Sequence, residues 1–205
     1  MARADGAAGS SRAGEALPGF VEDLAAGRQP ACHAAVQALL DAGAAPRELY
    51  QGLFQPALYE IGDRWQRGEV TVAAEHLATA ITEELLALVF PRALARPATG
   101  RRALVSCAAD ELHQVGGRIV ADTLETMGWR TTFIGAGEPV ERLAEAAAAR
   151  PHDLACLSVS IADHLPGAER SIASLRRADP ALPVVVGGQA LRHGGAAALE
   201  RYPGV

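Results

Sequence analysis

The first half of the chain repeats apolar residues with the period of helices. They recur every three to four positions from Leu17 to about residue 94, which is typical of amphipathic helices packed on one another. The pattern predicts four helices with short connections, and hence a small antiparallel four-helix bundle over residues 17–95. The predicted helices cover residues 17–26, 31–42, 46–65 and 70–89. Pro56 is expected to bend or interrupt the third helix.

Two of these helices indicate the face through which they pack. The second places Val36, Leu39 and Leu40 on one side, at the spacing of a single helical stripe. The fourth repeats apolar residues every three or four positions, as a helix buried in a bundle does. It is expected to pack through Leu77, Ile81, Leu85 and Leu88.

The second half of the chain has a different pattern. After a linker with proline and glycine at residues 96–101, short apolar runs alternate with helical runs. This alternation predicts a doubly wound parallel sheet with right-handed crossovers over residues 101–205. The predicted strands are 102–108, 129–135, 153–160 and 182–187, and the predicted helices are 114–127, 138–149, 166–178 and about 190–201. The predicted fold class is therefore α/β, a flavodoxin-like or Rossmann-like domain preceded by a four-helix bundle.

Charge and composition exclude several classes of function. A net charge of -5 argues against binding to duplex nucleic acid, which requires a basic face. No apolar run approaches the roughly 20 residues that span a bilayer. Residues 1–16 lack the apolar core of a signal peptide and are expected to form a disordered leader. Cys32, Cys107 and Cys156 lie outside any C-x-x-C motif, which favours reduced thiols in a cytoplasmic protein.

Three predicted strand ends carry candidate binding residues. Ligands of open α/β sheets bind at the carboxyl ends of the strands, so residues that follow different strands are expected to meet there. An imidazole oriented by a nearby carboxylate is a good metal ligand, although a short polar loop is also typical of a plain solvated connection. The candidates are Glu111, His113 and Gly116, then Ser158 and Ser160 after forty-one intervening residues, then Gly187 and Gly188 after twenty-six more.

With these separations the sequence resembles the cobalamin-binding domain of corrinoid enzymes and light sensors. Its signature is D-x-H-x-x-G, then S-x-L or a relative, then G-G; here Glu111 replaces the Asp and Ser160 replaces the Leu. The resemblance implies that His113 binds cobalt from the lower face of the corrin and displaces the dimethylbenzimidazole tail. That tail is then expected to enter the sheet past the two serines, where the glycine pair lets the backbone close on it. The competing receiver fold would place a phosphorylatable Asp where Ser158 stands.

The predicted bundle holds a second group of candidate residues. Trp65 ends the third predicted helix, and nine residues separate it from Glu75 and His76 near the start of the fourth. This W-x9-E-H pattern resembles the cap of the light-sensing cobalamin regulators of the CarH type. The resemblance implies that Trp65 packs over the 5′-deoxyadenosyl group while Glu75 and His76 line its pocket. The alternative is that Trp65 is a core residue and that Glu75 and His76 form a solvated helix start.

Some features of this chain differ from those of the CarH-type regulators. Those regulators carry an N-terminal helix-turn-helix domain, whereas the leader here is short, so this chain is not expected to bind DNA. Gln66 stands where they have the histidine that captures cobalt after photolysis, so water or His76 is expected there instead. The layout is more similar to that of the photocobilins, which pair cobalamin with a linear tetrapyrrole such as biliverdin. No cysteine lies in a bilin-attachment motif, so a bilin would be bound non-covalently.

Two functions follow from the resemblance. The first is a light sensor that is not an enzyme, in which photolysis of adenosylcobalamin changes conformation or assembly. The second is a corrinoid carrier for methyl transfer, which needs no adenosine pocket; a mutase is disfavoured because no barrel-sized substrate domain is predicted. Domains of this family usually have a fifth strand and helix, so the fourth strand is expected to be exposed at its edge. Such an edge favours pairing with a partner or a second copy, as a homodimer or larger oligomer.

Overall fold

The chain divides into two compact units, which a computed structural model describes over residues 11–92, 97–192 and Leu199. The first unit runs from Met1 to Arg92 and the second from Ala93 to Val205. The first is built of helices, and we call it the helical unit. The second combines a sheet with helices, and we call it the α/β unit. No helix among the described residues is long and apolar enough to cross a membrane.

The helical unit packs four long helical segments around a shared apolar core. Helix α1 lies against α2, α4 and α5. Large side chains at its centre, including Phe20, Phe54 and Leu85, are fully buried. The predicted packing face of α2 is confirmed, because Val36 and its neighbouring leucines are buried. The helices are α1 (Arg12–Ala25), α2 (Gln29–Asp41), α3 (Pro46–Leu49), α4 (Gln55–Gln66) and α5 (Val72–Val89), with a π turn at Tyr50–Phe54 and a 3₁₀ turn at Phe90–Arg92.

The first helix begins at Arg12 rather than at Leu17, where the apolar period starts. The Ser11 hydroxyl accepts a hydrogen bond from the Gly14 N–H at 3.1 Å and caps the helix, and Ala13 is buried in the core. Residues 12–16 therefore belong to α1 and not to a leader. Residues 1–10 of the predicted leader lie outside the described residues.

The interruption expected at Pro56 takes the form of a π turn. Proline lacks the N–H of a helical hydrogen bond, and its ring would meet the carbonyl group four residues earlier. The π turn at Tyr50–Phe54 widens the helix just before this point, where the Gln55 N–H donates to the carbonyl oxygen of Tyr50, five residues back. The chain then continues as α4, with Pro56 in the first turn, where no N–H is needed.

The packing face predicted for α5 is partly wrong. Ile81 and Leu85 are buried as expected, but Leu77 is 47% exposed. The helix packs instead through a stripe that begins at Ala78 and includes Thr82, whose hydroxyl is satisfied by donating to the Ala78 carbonyl at 2.8 Å. Apolar residues occupy most of the α5 surface, so their spacing does not show which of the adjacent residues Leu77 and Ala78 is buried.

The α/β unit contains a parallel four-stranded sheet in the order β2-β1-β3-β4. Helix α6 packs on one face against Val105 and Cys156. Helices α7 and α8 cover the other face, where Leu104 and Leu157 are buried. The strands are β1 (Arg102–Cys107), β2 (Arg130–Phe133), β3 (Leu154–Ser158) and β4 (Val184–Gly187), and the helices are α6 (Val115–Thr126), α7 (Val140–Ala149) and α8 (Leu165–Ala178).

The predicted doubly wound sheet is thus confirmed, with each strand slightly shorter than its apolar run. The helix predicted over residues 190–201 falls largely outside the described residues. Its start is a 3₁₀ turn at Gln189–Leu191, and Leu199 joins the core beneath α7 and α8. Among the described residues β4 is an edge strand, and its Val185 is exposed on the face that α6 covers elsewhere.

Candidate functional site

The loop between β1 and α6 holds the first candidate residues in a fixed path. The Ala109 N–H donates to the Ser171 hydroxyl of α8 at 3.0 Å, and Gly137 donates its N–H to the Glu111 carbonyl at 2.9 Å. Asp110 has a φ of 70°, in the left-handed region, and its carboxylate pairs with Arg170 of α8. The loop is therefore attached on both sides, which sets the direction of the Glu111 and His113 side chains.

The Glu111 carboxylate is the centre of the site and is completely buried. One oxygen, Oε1, accepts hydrogen bonds from the His113 backbone N–H at 2.9 Å and from His113 Nδ1 at 2.5 Å. The other oxygen, Oε2, accepts from the Ser160 backbone N–H at 2.7 Å and from His164 Nδ1 at 3.0 Å. One carboxylate therefore joins the loop after β1 to the loop after β3.

These contacts keep Glu111 ionised. Burial raises the pKa of a carboxyl group, but the hydrogen bonds from His113, Ser160 and His164 outweigh this and lower the pKa of Glu111 to about 2. A buried carboxylate with four donors is satisfied rather than strained. It acts as a fixed negative acceptor, so each of the two imidazoles donates through Nδ1.

His113 is held in the orientation that a metal ligand needs. Its Nδ1 is occupied by Glu111, its side chain is 34% exposed, and the remaining ring nitrogen, Nε2, is the atom suited to metal binding. The glutamate in place of the aspartate of the signature still reaches the ring, since Glu111 Oε1 lies 2.5 Å from His113 Nδ1. The Cys107 thiol contacts the His113 carbonyl oxygen at 3.5 Å, which adds a further restraint on the loop.

The end of β3 contributes two serines in different ways. Ser158 is buried, and a Cβ placed on Gly116 would lie 2.8 Å from its hydroxyl oxygen, so α6 begins directly against this serine. Ser160 contributes its backbone N–H to Glu111. In the sheet register Ser158 lies between Cys107 and Gly187 on the face covered by α6. These three positions therefore share the face expected to receive the cobalamin tail.

The two glycines at the end of β4, Gly187 within the strand and Gly188 directly after it, have different surroundings. Gly188 has a φ of +130°, and a Cβ there would lie 2.0 Å from the carbonyl oxygen of Val159. At Gly187 an added Cβ would meet nothing within 4 Å. Gly188 thus permits the close approach of the loops after β3 and β4. Open space beside Gly187 is what a buried ligand tail would require.

The candidate residues of the helical unit lie at one of its ends. Trp65 is in the last turn of α4 and Glu75 is in the first turn of α5, and a short turn at residues 67–71 joins the two helices. Trp65 is 40% exposed, so it is not the core residue of the alternative interpretation. The Glu75 carboxylate is mostly buried and accepts a hydrogen bond from the Thr79 hydroxyl at 3.1 Å, whereas His76 is 71% exposed.

The structure therefore brings some predicted residues together and leaves others in separate groups. Glu111, His113 and the Ser160 backbone form one hydrogen-bonded cluster, and Ser158 and Gly116 meet beside it. Trp65, Glu75 and His76 belong to the helical unit. His164 is a member of the cluster that sequence reasoning missed. Its only signal was its place four residues after Ser160, at the same edge of the sheet.

The donor set fits a corrinoid better than a free metal ion. In the described part of the chain no three His, Cys, Asp or Glu side chains are grouped to hold a metal by themselves. A single oriented imidazole suits a metal whose equatorial positions a macrocycle already fills. The space at Gly187 and the half-exposed His113 ring also fit a large cofactor that lies over the strand ends and inserts a tail.

Comparison with known families decides between a corrinoid and other ligands. Two family profiles match this chain, each described as a B12 binding domain, one over residues 18–89 and the other over residues 101–205. The chain belongs to the B12-binding family. Its α/β unit is a cobalamin-binding domain of the CarH type, and cobalamin is its cofactor.

Relatives of this B12-binding chain include two proteins of Myxococcus xanthus. The HTH-type transcriptional repressor CarH is 33% identical over 149 residues, which are 72% of this chain and 49% of the relative. The HTH-type transcriptional repressor CarA is 33% identical over 141 residues, 69% of this chain and 47% of the relative. The chain thus spans about half the length of the curated relatives it matches.

The fold is also found in a solved corrinoid protein. The monomethylamine corrinoid protein of Methanosarcina barkeri superposes with a TM-score of 0.77, covering 91% of this chain and 88% of that protein at 14% identity. At this identity the likeness establishes the fold alone. The predicted architecture, a helical unit followed by a parallel α/β sheet, is confirmed by this B12-binding fold.

Proposed function

We propose that this B12-binding chain is a light sensor that uses adenosylcobalamin. The observation that carries the proposal is the half-exposed Trp65 in the last turn of α4, at the same end of the helical unit as Glu75 and His76 near the start of α5. A large aromatic side chain left partly uncovered on a helical unit is suited to covering an apolar ligand surface. The similarity to two transcriptional repressors supports a regulatory role rather than a catalytic one.

Each group of residues has a separate part in the proposed sensor. Adenosylcobalamin, when bound, supplies a cobalt–carbon bond that visible light breaks. His113 would hold the cobalt through Nε2, with Glu111 fixing its ring. Trp65 covers the adenosyl group, and the Glu75 carboxylate, itself restrained by Thr79, accepts hydrogen bonds from ribose hydroxyls. Without the adenosyl group Trp65 would lose this contact, so the dark and illuminated states would differ in the contacts that Trp65 makes.

The output is proposed to be a change of assembly. Within the described residues β4 has one free side, and an exposed strand edge favours pairing with another chain. A homodimer or larger oligomer whose stability depends on the cap would convert light into a change of mass. The three free, buried thiols support the cytoplasmic location expected from the sequence.

The alternative is a corrinoid carrier for methyl transfer, and cofactor preference separates the two. Purified chain is loaded in darkness with adenosylcobalamin or methylcobalamin, and affinities, spectra and mass by light scattering are recorded before and after green light. The sensor predicts preference for adenosylcobalamin and a change of mass on illumination. Equal affinities with an unchanged mass after complete photolysis would support the carrier. Adding biliverdin in a parallel sample tests for a second chromophore.

A pair of tryptophan variants tests the cap itself. Trp65→Phe removes part of the apolar surface over the adenosyl group, about 1 kcal/mol of contact, and should lower the preference for adenosylcobalamin about fivefold. Trp129→Phe is the matched control, because Trp129 packs beneath α6 with Arg101 over its ring. If both variants, or neither, change the preference, Trp65 does not contact the adenosyl group.

A further inference from the structure

Four arginines lie together at the end of the sheet where its parallel strands begin. Arg102 and Arg130 start β1 and β2 and are partners in the sheet register. The Arg130 N–H donates to the Arg101 carbonyl at 2.9 Å. Arg150 ends α7 and lies shortly before β3 begins. We call these four residues the arginine cluster; it lies at the opposite end of the sheet from the candidate cobalamin-binding residues.

The guanidinium groups of the arginine cluster make no ion pair with any described residue. An exposed arginine elsewhere in the α/β unit does, since Arg142 pairs with Glu145 at 3.2 Å. The carboxylate that precedes β3, Asp153, accepts the backbone N–H of Arg102 at 2.8 Å rather than a guanidinium. Three of the four arginines are also exposed. On a chain with a net charge of -5, the cluster therefore presents several cationic groups that are open to an external anion.

Two neighbouring rings show how the cluster is arranged. The Arg101 guanidinium lies over Trp129, 5.4 Å from the ring centroid. A guanidinium that stacks through its face keeps its N–H donors at the rim, where they can bind an acceptor. Burial lowers the pKa of His152, and the positive charges of Arg150 and Arg102 lower it further. The charges of the cluster therefore act together on one place in the fold.

We propose that the arginine cluster is a docking surface for an acidic segment of a partner protein. Guanidinium forks bind carboxylates through two parallel hydrogen bonds, and neighbouring strands lie about 5 Å apart, so the cluster can hold several carboxylates at once. Duplex nucleic acid fits less well, because it requires a wider basic face than this acidic chain offers. The inference goes beyond the proposed light sensor and does not require cobalamin.

The first measurement is the affinity of the full chain for a fluorescein-labelled peptide of ten glutamates, by fluorescence anisotropy at low salt. A peptide of ten glutamines is the uncharged control. We expect the double variant Arg130→Gln, Arg150→Gln to bind the glutamate peptide about tenfold more weakly. Arg142→Gln is the matched control, because it removes one exposed arginine outside the cluster. No binding by the unmodified chain, or an equal loss in Arg142→Gln and the double variant, would overturn the inference.

Two further samples identify the kind of partner and the place of binding. A labelled DNA duplex of ten base pairs is titrated in the same buffer, and we expect weaker binding than for the glutamate peptide. Equal or tighter binding of the duplex would assign the cluster to nucleic acid and overturn the proposal. The peptide titration is repeated after saturation with cobalamin, which should leave the affinity unchanged. Loss of peptide binding would place the peptide at the cobalamin end of the sheet instead and would also overturn it.

The pKa of His152 provides a local readout that does not depend on affinity. Carboxylates bound at the cluster would offset the charges of Arg150 and Arg102, so the pKa of His152 should rise when the glutamate peptide saturates the chain. Histidine NMR titrations measure this, with the signal assigned by its loss in His152→Gln. His76, which is 71% exposed in the helical unit, is the internal control and should not shift. An unchanged His152 in the saturated chain would show that the peptide binds elsewhere.

Discussion

Substitution of the adjacent glycines Gly187 and Gly188 by alanine should affect stability very differently. Gly188 has φ +130° and ψ 174°, a backbone region that is essentially restricted to glycine and costs other residues about 1–3 kcal/mol. Its added Cβ would also lie 2.0 Å from the Val159 carbonyl oxygen and 2.7 Å from the carbonyl carbon. Gly187 has neither constraint, since an added Cβ there meets open space.

The Val159 backbone cannot move away cheaply from a Gly188→Ala side chain. Its N–H donates to the Gly187 carbonyl at 2.9 Å, the hydrogen bond that ends the pairing of β3 with β4. Moving the Val159 carbonyl would therefore open this end of the sheet, and overpacking of this kind costs about 1–3 kcal/mol. Together with the backbone strain, we expect Gly188→Ala to lower the free energy of unfolding by about 4 kcal/mol. We expect Gly187→Ala to change it by less than about 1 kcal/mol.

Urea unfolding followed by Trp129 fluorescence measures these values. In a Trp65→Phe background Trp129 is the single tryptophan, and it packs beneath α6 in the α/β unit, so the signal reports that unit alone. A free energy of unfolding of Gly188→Ala within about 1 kcal/mol of the parent, or an equal loss in Gly187→Ala, would refute the steric explanation. Gly187→Ala should nevertheless bind cobalamin about tenfold more weakly, because the new methyl group occupies the space expected to receive the tail.

Three further predictions concern acid stability, helix capping and thiol reactivity. Because Glu111 has a folded pKa of about 2 against an ordinary 4.5, the α/β unit should lose up to about 3 kcal/mol as pH falls from 4.5 to 2. Glu111→Gln should remove that pH dependence in acid unfolding curves; a curve that keeps its slope would contradict the assignment. Thr71→Ala should cost about 1 kcal/mol in thermal melting, since its hydroxyl caps α5 at 3.1 Å, and Thr71→Ser should restore it. Burial raises the pKa of Cys32 and Cys156 to about 11 and of Cys107 to about 12, so native thiols should react with Ellman's reagent at pH 8 about 100-fold more slowly than unfolded ones. Fast native labelling would show that these thiols are accessible.

The order of helices and strands could be predicted because the spacing of apolar residues in each segment depends on which faces of that segment are buried. Strands β1 and β3 lie between two helical layers, so their sequences are continuous apolar runs, and right-handed crossovers then restrict the order of the strands. Helix α5 shows the limit of this argument. Nearly every side of α5 is apolar, and the exposure of Leu77 depends on which neighbouring helices reach its first turn.

The site was predictable where its residues follow one another in a motif. Glu111 and His113 belong to one loop, and their contact follows from two residues of spacing. His164 reaches the same carboxylate from another loop, so its role depends on how the loops after β1 and β3 meet. No period or motif contains that information. The use of the Ser160 backbone rather than a side chain is unpredictable for the same reason.

The π turn at Tyr50–Phe54 has a consequence for the rotational phase of α4. Successive residues of an α-helix are separated by about 100° around the axis, so one residue more or less upstream turns everything that follows by that angle. Deleting one residue of the π turn would bring Pro56 into register with an ordinary helical carbonyl and rotate Trp65 by about a quarter turn. The direction in which the Trp65 indole faces therefore depends on the π turn, about ten residues earlier in the chain. Pro56 favours that π turn because its ring does not fit an ordinary helical turn there.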